Sequence, residues 1–349
     1  MKKAAKVFVA MSGGVDSSVA AALLKKKGYG VTGVFMRCYN LDGCEERDAR
    51  DARRVAAKLK IPFYAWDFEK EYKKAVVKYM VDGYRRGITP NPDVMCNKKI
   101  KFGLFLKKAL RSGAEYVATG HYARLREKDG KFSISTARDR NKDQSYFLWT
   151  LGQKELRHSL FPVGGYVKST VRKFAKEFGL HTAGKKDSQG ICFLGKVSIY
   201  DFLRERLPEK RGLILDASGN KLGEHLGAHF YTIGQRHGLG ISGSHPYYVA
   251  GKNIKRNEIV VVEGDANPAL YKKELILSSV NWTHGNAPRL PVTVLARVRY
   301  RQPLSKAKIT KNGKSYKLIF ARPQRFVAPG QSAVFYMEQG EMLGGGVIL

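Results

Sequence analysis

Acidic residues are scarce in this chain: 30 Asp and Glu stand against 63 Lys and Arg, a net charge of +33. An excess of that size goes beyond what solubility requires and calls for a polyanionic partner. Cysteine is scarcer still, with four in 349 residues and none in a CxxC pair. That usage argues against zinc ribbons and disulfide-held scaffolds and points to a reducing, cytoplasmic setting. No apolar run approaches the ~20 residues of a membrane-spanning helix, so no membrane partner is expected. MKKAAK runs straight into the first strand and leaves no room for a leader peptide. The 43% hydrophobic and 11% aromatic content is that of a folded chain, and its length allows two or three domains.

One more absence is local. The stretch KVFVAMSGGVDSSVAAALL, residues 6–24, reads as a short buried strand, a Ser- and Gly-rich turn and an amphipathic helix. Gly13 and Gly14 let the turn close tightly around an anion, Ser12, Ser17 and Ser18 add hydroxyls, and the helix points its positive end the same way. The turn is a phosphate cradle, yet it lacks the lysine of GxxxxGK[ST] and carries Asp16 instead. That composition suits cleavage between the α- and β-phosphates, with magnesium pyrophosphate held by the turn. SGGVDSS after a buried strand resembles the PP-loop of the ATP pyrophosphatases, which split ATP into AMP and pyrophosphate to adenylate a substrate. Together with 18 Tyr and 17 Phe, such a turn favours RNA as the polyanion.

Along the chain, GVTGVFM (30–36) and residues 61–68 read as further strands and residues 42–60 as a helix, so the opening is of parallel α/β kind. Ligands of such sheets sit beyond the carboxyl ends of the strands, which places Met36 and the Gly120-His121 pair at the ligand edge. A helix over 72–86 leads to Gly87–Asn97, where Pro90 and Pro92 forbid a helix and predict an exposed loop holding Asp93 and Cys96. A further helix over 98–112 follows. Ser169 or Thr170 caps a helix closed by Gly179, and AGKKDSQGICFLG (183–195) forms a second conspicuous loop. From Gly212 onward short strands alternate with turns, the pattern of small β-domains. The expected division is an α/β parallel-sheet domain over 1–160, a small mixed central domain over 161–272 containing Cys192, and a C-terminal β-barrel over 273–349.

Cys96 and Cys192 each lie in a turn-rich loop beside charged residues, and Lys185 and Lys186 would favour a thiolate at Cys192. Cys38 reads as an inert buried thiol, and Cys44 has no assigned role. In VTVLARVRYR (292–301), Arg297, Arg299 and Arg301 alternate with Ala296, Val298 and Tyr300. Residues i and i+2 of a strand share a face ~6.6 Å apart, so these arginines form a comb that docks backbone phosphates without reading sequence.

SGGVDSS, NPDVMCN, ATGHYA, NKDQSYFL, KKDSQGICFLG, YTIGQRHGLG, RYRQ and PGQSAVFY occur in that order over essentially the whole chain. The sequence resembles the bacterial tRNA-uridine 2-sulfurtransferases, the tRNA-specific 2-thiouridylases of the PP-loop superfamily. The resemblance implies that Ala10, Met11, Ser12, Gly13, Gly14, Val15, Asp16 and Ser17 bind ATP, with Met36 and Gly120 completing the nucleotide site and Mg2+ accompanying the nucleotide. It makes Cys192 the persulfide carrier, Cys96 its partner and Asp93 an acid, base or positioning residue beside the target base. Asn91 and Pro92 fall with Asp93 among the substrate-binding positions, as do His121, Lys142, Asp143, Gln144, Arg299, Tyr300 and Gln331, which match positions that touch tRNA.

The implied reaction adenylates the 2-carbonyl oxygen of the wobble uridine and replaces it with sulfur, leaving the two cysteines as a disulfide. Their Cα atoms must then come within ~7 Å. The implied partners are the anticodon region of tRNA and a sulfur-donor protein of a cysteine desulfurase relay. Three alternatives stay open: another PP-loop enzyme that needs no thiols, a non-catalytic RNA-binding protein, and a thiolase with a labile iron-sulfur cluster on Asp93, Cys96 and Cys192. Two departures from the family pattern stand out, Ala10 where many relatives have glycine and a short segment between Arg37 and Glu46.

Overall fold

The computed structural model describes residues 4–39, 41, 43, 45–186, 194, 195 and 197–349; Cys44 and Cys192 lie outside the described residues. The first unit is a βα succession: β1 (Lys6–Ala10), α1 (Val15–Lys26), β2 (Gly30–Arg37), α2 (Glu45–Lys58) and β3 (Phe63–Asp67). A helix of α3 (Glu69–Tyr72), a π-helical turn (Lys73–Val77) and α4 (Lys78–Arg85) follows. A second helical run comprises α5 (Pro92–Cys96), a π-helical stretch (Asn97–Phe105) and α6 (Leu106–Arg111), and it leads to β4 (Tyr116–Ala118). The hairpin β5 (Ala123–Lys128) and β6 (Lys131–Thr136), the short α7 (Gln153–Leu156) and β7 (Ser159–Leu160) precede α8 (Lys168–Glu177).

The five strands β3-β2-β1-β4-β7 form one sheet, parallel throughout. Its order reverses at β1, so the crevice between the carboxyl ends of β1 and β4 is the switch point where such sheets take ligands. Val7 and Val9 of β1 are fully buried, and α1 is buried along most of its length because Ala20, Ala21 and Ala22 let its neighbours approach closely. Helix α8 shares a core with α1 through Val171 and Ala175, so residues beyond Leu160 continue the layer that covers this sheet.

The expected Ser169 or Thr170 cap does not form. α8 starts at Lys168, whose backbone N–H is taken at 2.9 Å by the Asp139 carboxylate. The expected loop over Gly87–Asn97 is corrected from Pro92 onward, where the chain is helical. Pro92 stands at the first helical position, where a missing N–H costs nothing, and Asn91 caps the helix by accepting from the Val94 N–H at 3.2 Å. Cys96 is therefore buried, 7% exposed, on a helix rather than on an open loop.

After α9 (Ile199–Arg204) come β8 (Gly212–Leu215), β9 (Lys221–His225), β10 (Tyr247–Asn253) and β11 (Glu258–Glu263), a sheet in the order β10-β11-β8-β9. The C-terminal strands β12 (Tyr271–Trp282), β13 (Val292–Arg297), β14 (Ser305–Asn312), β15 (Ser315–Arg325), β16 (Ser332–Tyr336) and β17 (Met342–Ile348) close into a barrel. Closure removes the strand edges, and Leu277, Ala296, Val298, Ile309, Leu318, Phe320 and Phe335 fill the interior with no solvent exposure. The expected fold class, an α/β parallel-sheet domain, a small central domain and a C-terminal barrel, is the observed one.

The arginine comb is not. β13 ends at Arg297, because Gln302 Oε1 takes the Val298 N–H and the chain turns, with Arg301 at φ +64°. Arg297 points inward onto Asp143 at 2.9 Å, Arg299 donates to the Ile233 carbonyl at 2.6 Å, and Arg301 lies over the Tyr300 ring. The three guanidinium groups have three different surroundings.

Candidate nucleotide site and cysteine helix

The Ser-Gly turn leaves β1 through Ala10 and Met11, both buried, with the Met11 N–H bonded to the Val34 carbonyl at 2.8 Å. Gly13 has φ +71°, and a Cβ there would stand 2.3 Å from the Asp48 carbonyl oxygen, so only glycine fits. Ser17 Oγ accepts from the Ser12 N–H at 3.2 Å and donates to the Gly14 carbonyl at 3.2 Å, while Ser18 donates to the same carbonyl at 2.7 Å. The hydroxyls thus close the turn on itself and hold Gly14 and Val15 at the positive end of α1.

Gly120, just past β4, is the second wall. A Cβ there would lie 2.6 Å from the Ser17 nitrogen and 2.8 Å from the Asp16 carbonyl carbon. Both are backbone atoms, so relief requires moving the turn. Gly120→Ala is therefore expected to weaken ATP binding by roughly tenfold or more, equivalent to about 1.4 kcal/mol of displaced turn geometry. Calorimetric titration with ATP checks this; unchanged affinity would mean that the nucleotide does not use the turn. Met36 is half-buried at the end of β2.

Asp16 accepts three hydrogen bonds from two donor groups. Tyr122 Oη bonds Oδ1 at 2.8 Å, and Lys168 Nζ reaches Oδ1 at 2.7 Å and Oδ2 at 2.8 Å. Tyr122 is in turn bracketed by the backbone and side chain of Gln144, at 2.8 and 3.0 Å. On the other flank Lys185 Nζ donates to the Gly13 carbonyl at 3.1 Å, Asp48 at 2.8 Å and Asp51 at 2.6 Å. Burial alone would lower the Lys185 pKa, but its bonds to Asp48 and Asp51 outweigh this and hold it above the usual lysine value. Asp51 is held below the usual carboxylate range: the Lys185 and His181 contacts override its burial. Lys185 is thus committed to these carboxylates and the turn, while its expected effect on the Cys192 thiol falls outside the described residues.

The cysteine helix is braced from the barrel. Gln331 Nε2 donates to the carbonyls of Thr89 and Pro90 at 3.0 and 3.1 Å, and the Thr89 N–H donates to the Pro329 carbonyl at 2.8 Å. Behind the cap, Tyr146 Oη donates to the Ser332 carbonyl at 2.9 Å, and Asn97 holds the Phe147 carbonyl at 3.1 Å. Asp93 is half-buried one turn ahead of Cys96, and residues three apart share a helix face.

His121 is 8% exposed rather than at the surface, with Nδ1 2.7 Å from Thr119 Oγ1 and its ring 6.0 Å from that of Phe102. Burial, reinforced by the Lys101 charge, pushes its pKa well below the usual histidine value and keeps the ring neutral. Asp143 is also buried; it accepts from Ala137 and Ser145 as well as Arg297. Lys142, Gln144, Arg299, Tyr300 and Gln331 are half-buried, and the Tyr300 ring lies 4.5 Å from that of Phe147, tilted 49° to it.

The structure therefore gathers Ala10–Ser17 and Gly120 at one edge of the sheet and sets Asn91, Pro92, Asp93 and Cys96 on one helix braced by Gln331. Cys192 lies outside the described residues, so its approach to Cys96 and the proposed iron-sulfur triad do too. Among the described residues no group of three His, Cys, Asp or Glu is arranged to hold a metal ion. Sequence reasoning missed Lys168, Tyr122 and the Asp143–Arg297 pair, whose partners are 152, 106 and 154 residues away. No local pattern announces contacts of that range.

Residues 5–196 match the family model described as a tRNA methyl transferase HUP domain. Residues 200–263 match a tRNA methyl transferase PRC-barrel domain, and residues 272–348 an aminomethyltransferase beta-barrel domain. The tRNA-specific 2-thiouridylase MnmA of Geobacillus thermodenitrificans is 47% identical over 353 residues, covering 98% of this chain and 94% of its own. The enzyme of the same name from Streptococcus agalactiae serotype Ia is 46% identical, covering 98% of this chain and 95% of its own. Identity at that level over 98% of the chain places it in the tRNA-specific 2-thiouridylase family.

Proposed function

We propose that the chain is an ATP-dependent tRNA-uridine 2-sulfurtransferase acting on the wobble uridine. The observation that carries this reading is the tether at Lys185. Its Nζ is 3.1 Å from the Gly13 carbonyl of the phosphate turn, and it lies seven residues before Cys192. Its backbone is fixed too, since Arg172 holds the carbonyls of Ala183 and Lys185 at 2.7 and 3.0 Å. On the far side of Cys192, Leu194 is buried in the hydrophobic core that also contains Cys96. Lys185 and Leu194, on either side of Cys192 in sequence, thus sit at the nucleotide turn and in the hydrophobic cluster that includes Cys96.

The chemistry follows from the electrophile. A uracil 2-carbonyl carbon resists substitution because its oxygen leaves poorly. The uracil oxygen attacks the α-phosphorus of MgATP, the bond to the β-phosphate breaks, and pyrophosphate departs with the electron pair. The N3 proton is lost in this step, and Asp93 is the group assigned to take it. The terminal sulfur of a Cys192 persulfide then adds to C2 and AMP leaves. Attack of the Cys96 thiolate on the Cys192 sulfur breaks the remaining S–S bond, releasing 2-thiouridine and a Cys96–Cys192 disulfide. An external thiol must reduce that disulfide before the next turnover.

Magnesium enters with the nucleotide as substrate. The net charge of +33 matches a tRNA substrate. A tRNA transcript incubated with the protein, ATP, magnesium and a sulfane-sulfur donor such as a low-molecular-weight persulfide, which can load Cys192 by transfer without an oxidant, is expected to gain the mass of one sulfur in exchange for one oxygen at the anticodon. Nucleoside mass spectrometry reads this, and an unmodified wobble uridine after full incubation would refute the assignment.

A further inference from the structure

The Ser-Gly turn has no lysine of its own between Ala10 and Ser18, and a helix N-terminus offers only about half a positive charge. A triphosphate needs more. We propose that Lys168, on α8, is the lysine the turn lacks, and that it contacts the phosphate chain of ATP and stabilises the departing pyrophosphate. The proposal rests on the adenylation reading above and names a further residue of that site.

Three observations carry it. Lys168 Nζ already lies in the cradle, 2.7 and 2.8 Å from the two oxygens of Asp16, in the first turn of α1. Its side chain is 12% exposed, so the ammonium occupies a shielded place where its charge acts strongly. Its backbone is fixed, because the Lys168 N–H is bonded to Asp139 and α8 shares a core with α1. The ammonium is thus delivered by a packed helix rather than by a mobile loop.

Lys168 and Asp16 are directly paired, so the ammonium stands next to the carboxylate of the turn. A magnesium ion arriving with ATP seeks oxygen ligands, and a carboxylate is the strongest the turn offers. Asp16 would be the residue to hold that ion, and the Lys168 ammonium beside it would then be available to the non-bridging phosphate oxygens. When the uracil oxygen displaces pyrophosphate, the electron pair of the broken P–O bond passes to the leaving group. Lys168 meets that charge and stays protonated throughout, so it acts by electrostatics and transfers no proton. Lys185 does not fill this role, since Asp48 and Asp51 share its charge.

The test compares wild type, Lys168→Ala and Lys168→Arg in the full-length protein. Calorimetry gives affinities for ATP and for adenosine, and a coupled assay gives tRNA-dependent pyrophosphate release. Lys168→Ala is expected to lose about tenfold or more in ATP affinity with adenosine affinity unchanged, and about a hundredfold in the rate of pyrophosphate release. Lys168→Arg is expected to recover part of both. Adenosine is the control for folding: equal loss of adenosine and ATP affinity would assign Lys168 a structural role and overturn the proposal. So would wild-type ATP affinity and pyrophosphate release in Lys168→Ala. If wild type releases no pyrophosphate with tRNA while Lys168→Ala still loses ATP selectively, the lysine assignment stands and the adenylation reading falls.

Discussion

Cys96→Ser is expected to abolish 2-thiouridine formation in thiol-free buffer, by about a thousandfold or more, while tRNA-dependent pyrophosphate release continues. Serine is nearly isosteric, and the helix keeps its Asn91 cap and its Asn97 bond to Phe147. The fold should therefore survive the change, and what disappears is the nucleophile that cleaves the last S–S bond. The reaction then stalls with uracil C2 joined through two sulfurs to Cys192. Denaturing electrophoresis should show an RNA–protein adduct that dithiothreitol splits, and the released RNA should carry the thiolated base. Thiolation at the wild-type rate without added thiol would remove Cys96 from the mechanism.

The second large effect is one of stability. Asp143 and Arg297 form a 2.9 Å ion pair whose side chains are 1% and 8% exposed. Removing one partner strands a buried charge, so Arg297→Met is expected to cost about 3–5 kcal/mol. The pair itself is imperfectly solvated, since Arg297 Nε is buried with no hydrogen-bond partner. An uncharged replacement of both ends should therefore be tolerated far better, with Asp143→Asn combined with Arg297→Met recovering most of the loss. Urea unfolding of the single and double variants measures this. Equal destabilisation of both would show that the guanidinium matters for its packing over the Tyr336 ring, 5.2 Å away, rather than for its charge.

Much of this molecule was legible in its sequence because the relevant signals are local. The β1-turn-α1 unit depends on neighbouring residues, and Gly13 adopts the positive φ that its place in the turn suggested. The cysteine helix was misread for an equally local reason. Two prolines within three residues look like a helix breaker, yet Pro92 sits where a helix has no use for an N–H, and Asn91 supplies the cap. The arginine comb failed because alternation says nothing of where a strand stops, and the turn at Val298–Gln302 ends this one. Lys168 and Arg297 were opaque as partners because tertiary packing across 152 and 154 residues chose them.

The bonds from Gln331 and Pro329 to Thr89 and Pro90 bear on how the chain can be divided. They join the last unit of the polypeptide to the peptide immediately before the cysteine helix. A protein shortened ahead of β12 would retain the residues of the five-stranded sheet and the phosphate turn, yet two carbonyls and one amide beside Asn91 would lose their partners. The barrel is thus a brace for the helix that carries Asp93 and Cys96 as much as a module of its own, and grafting it from a distant relative would shift that helix along with it.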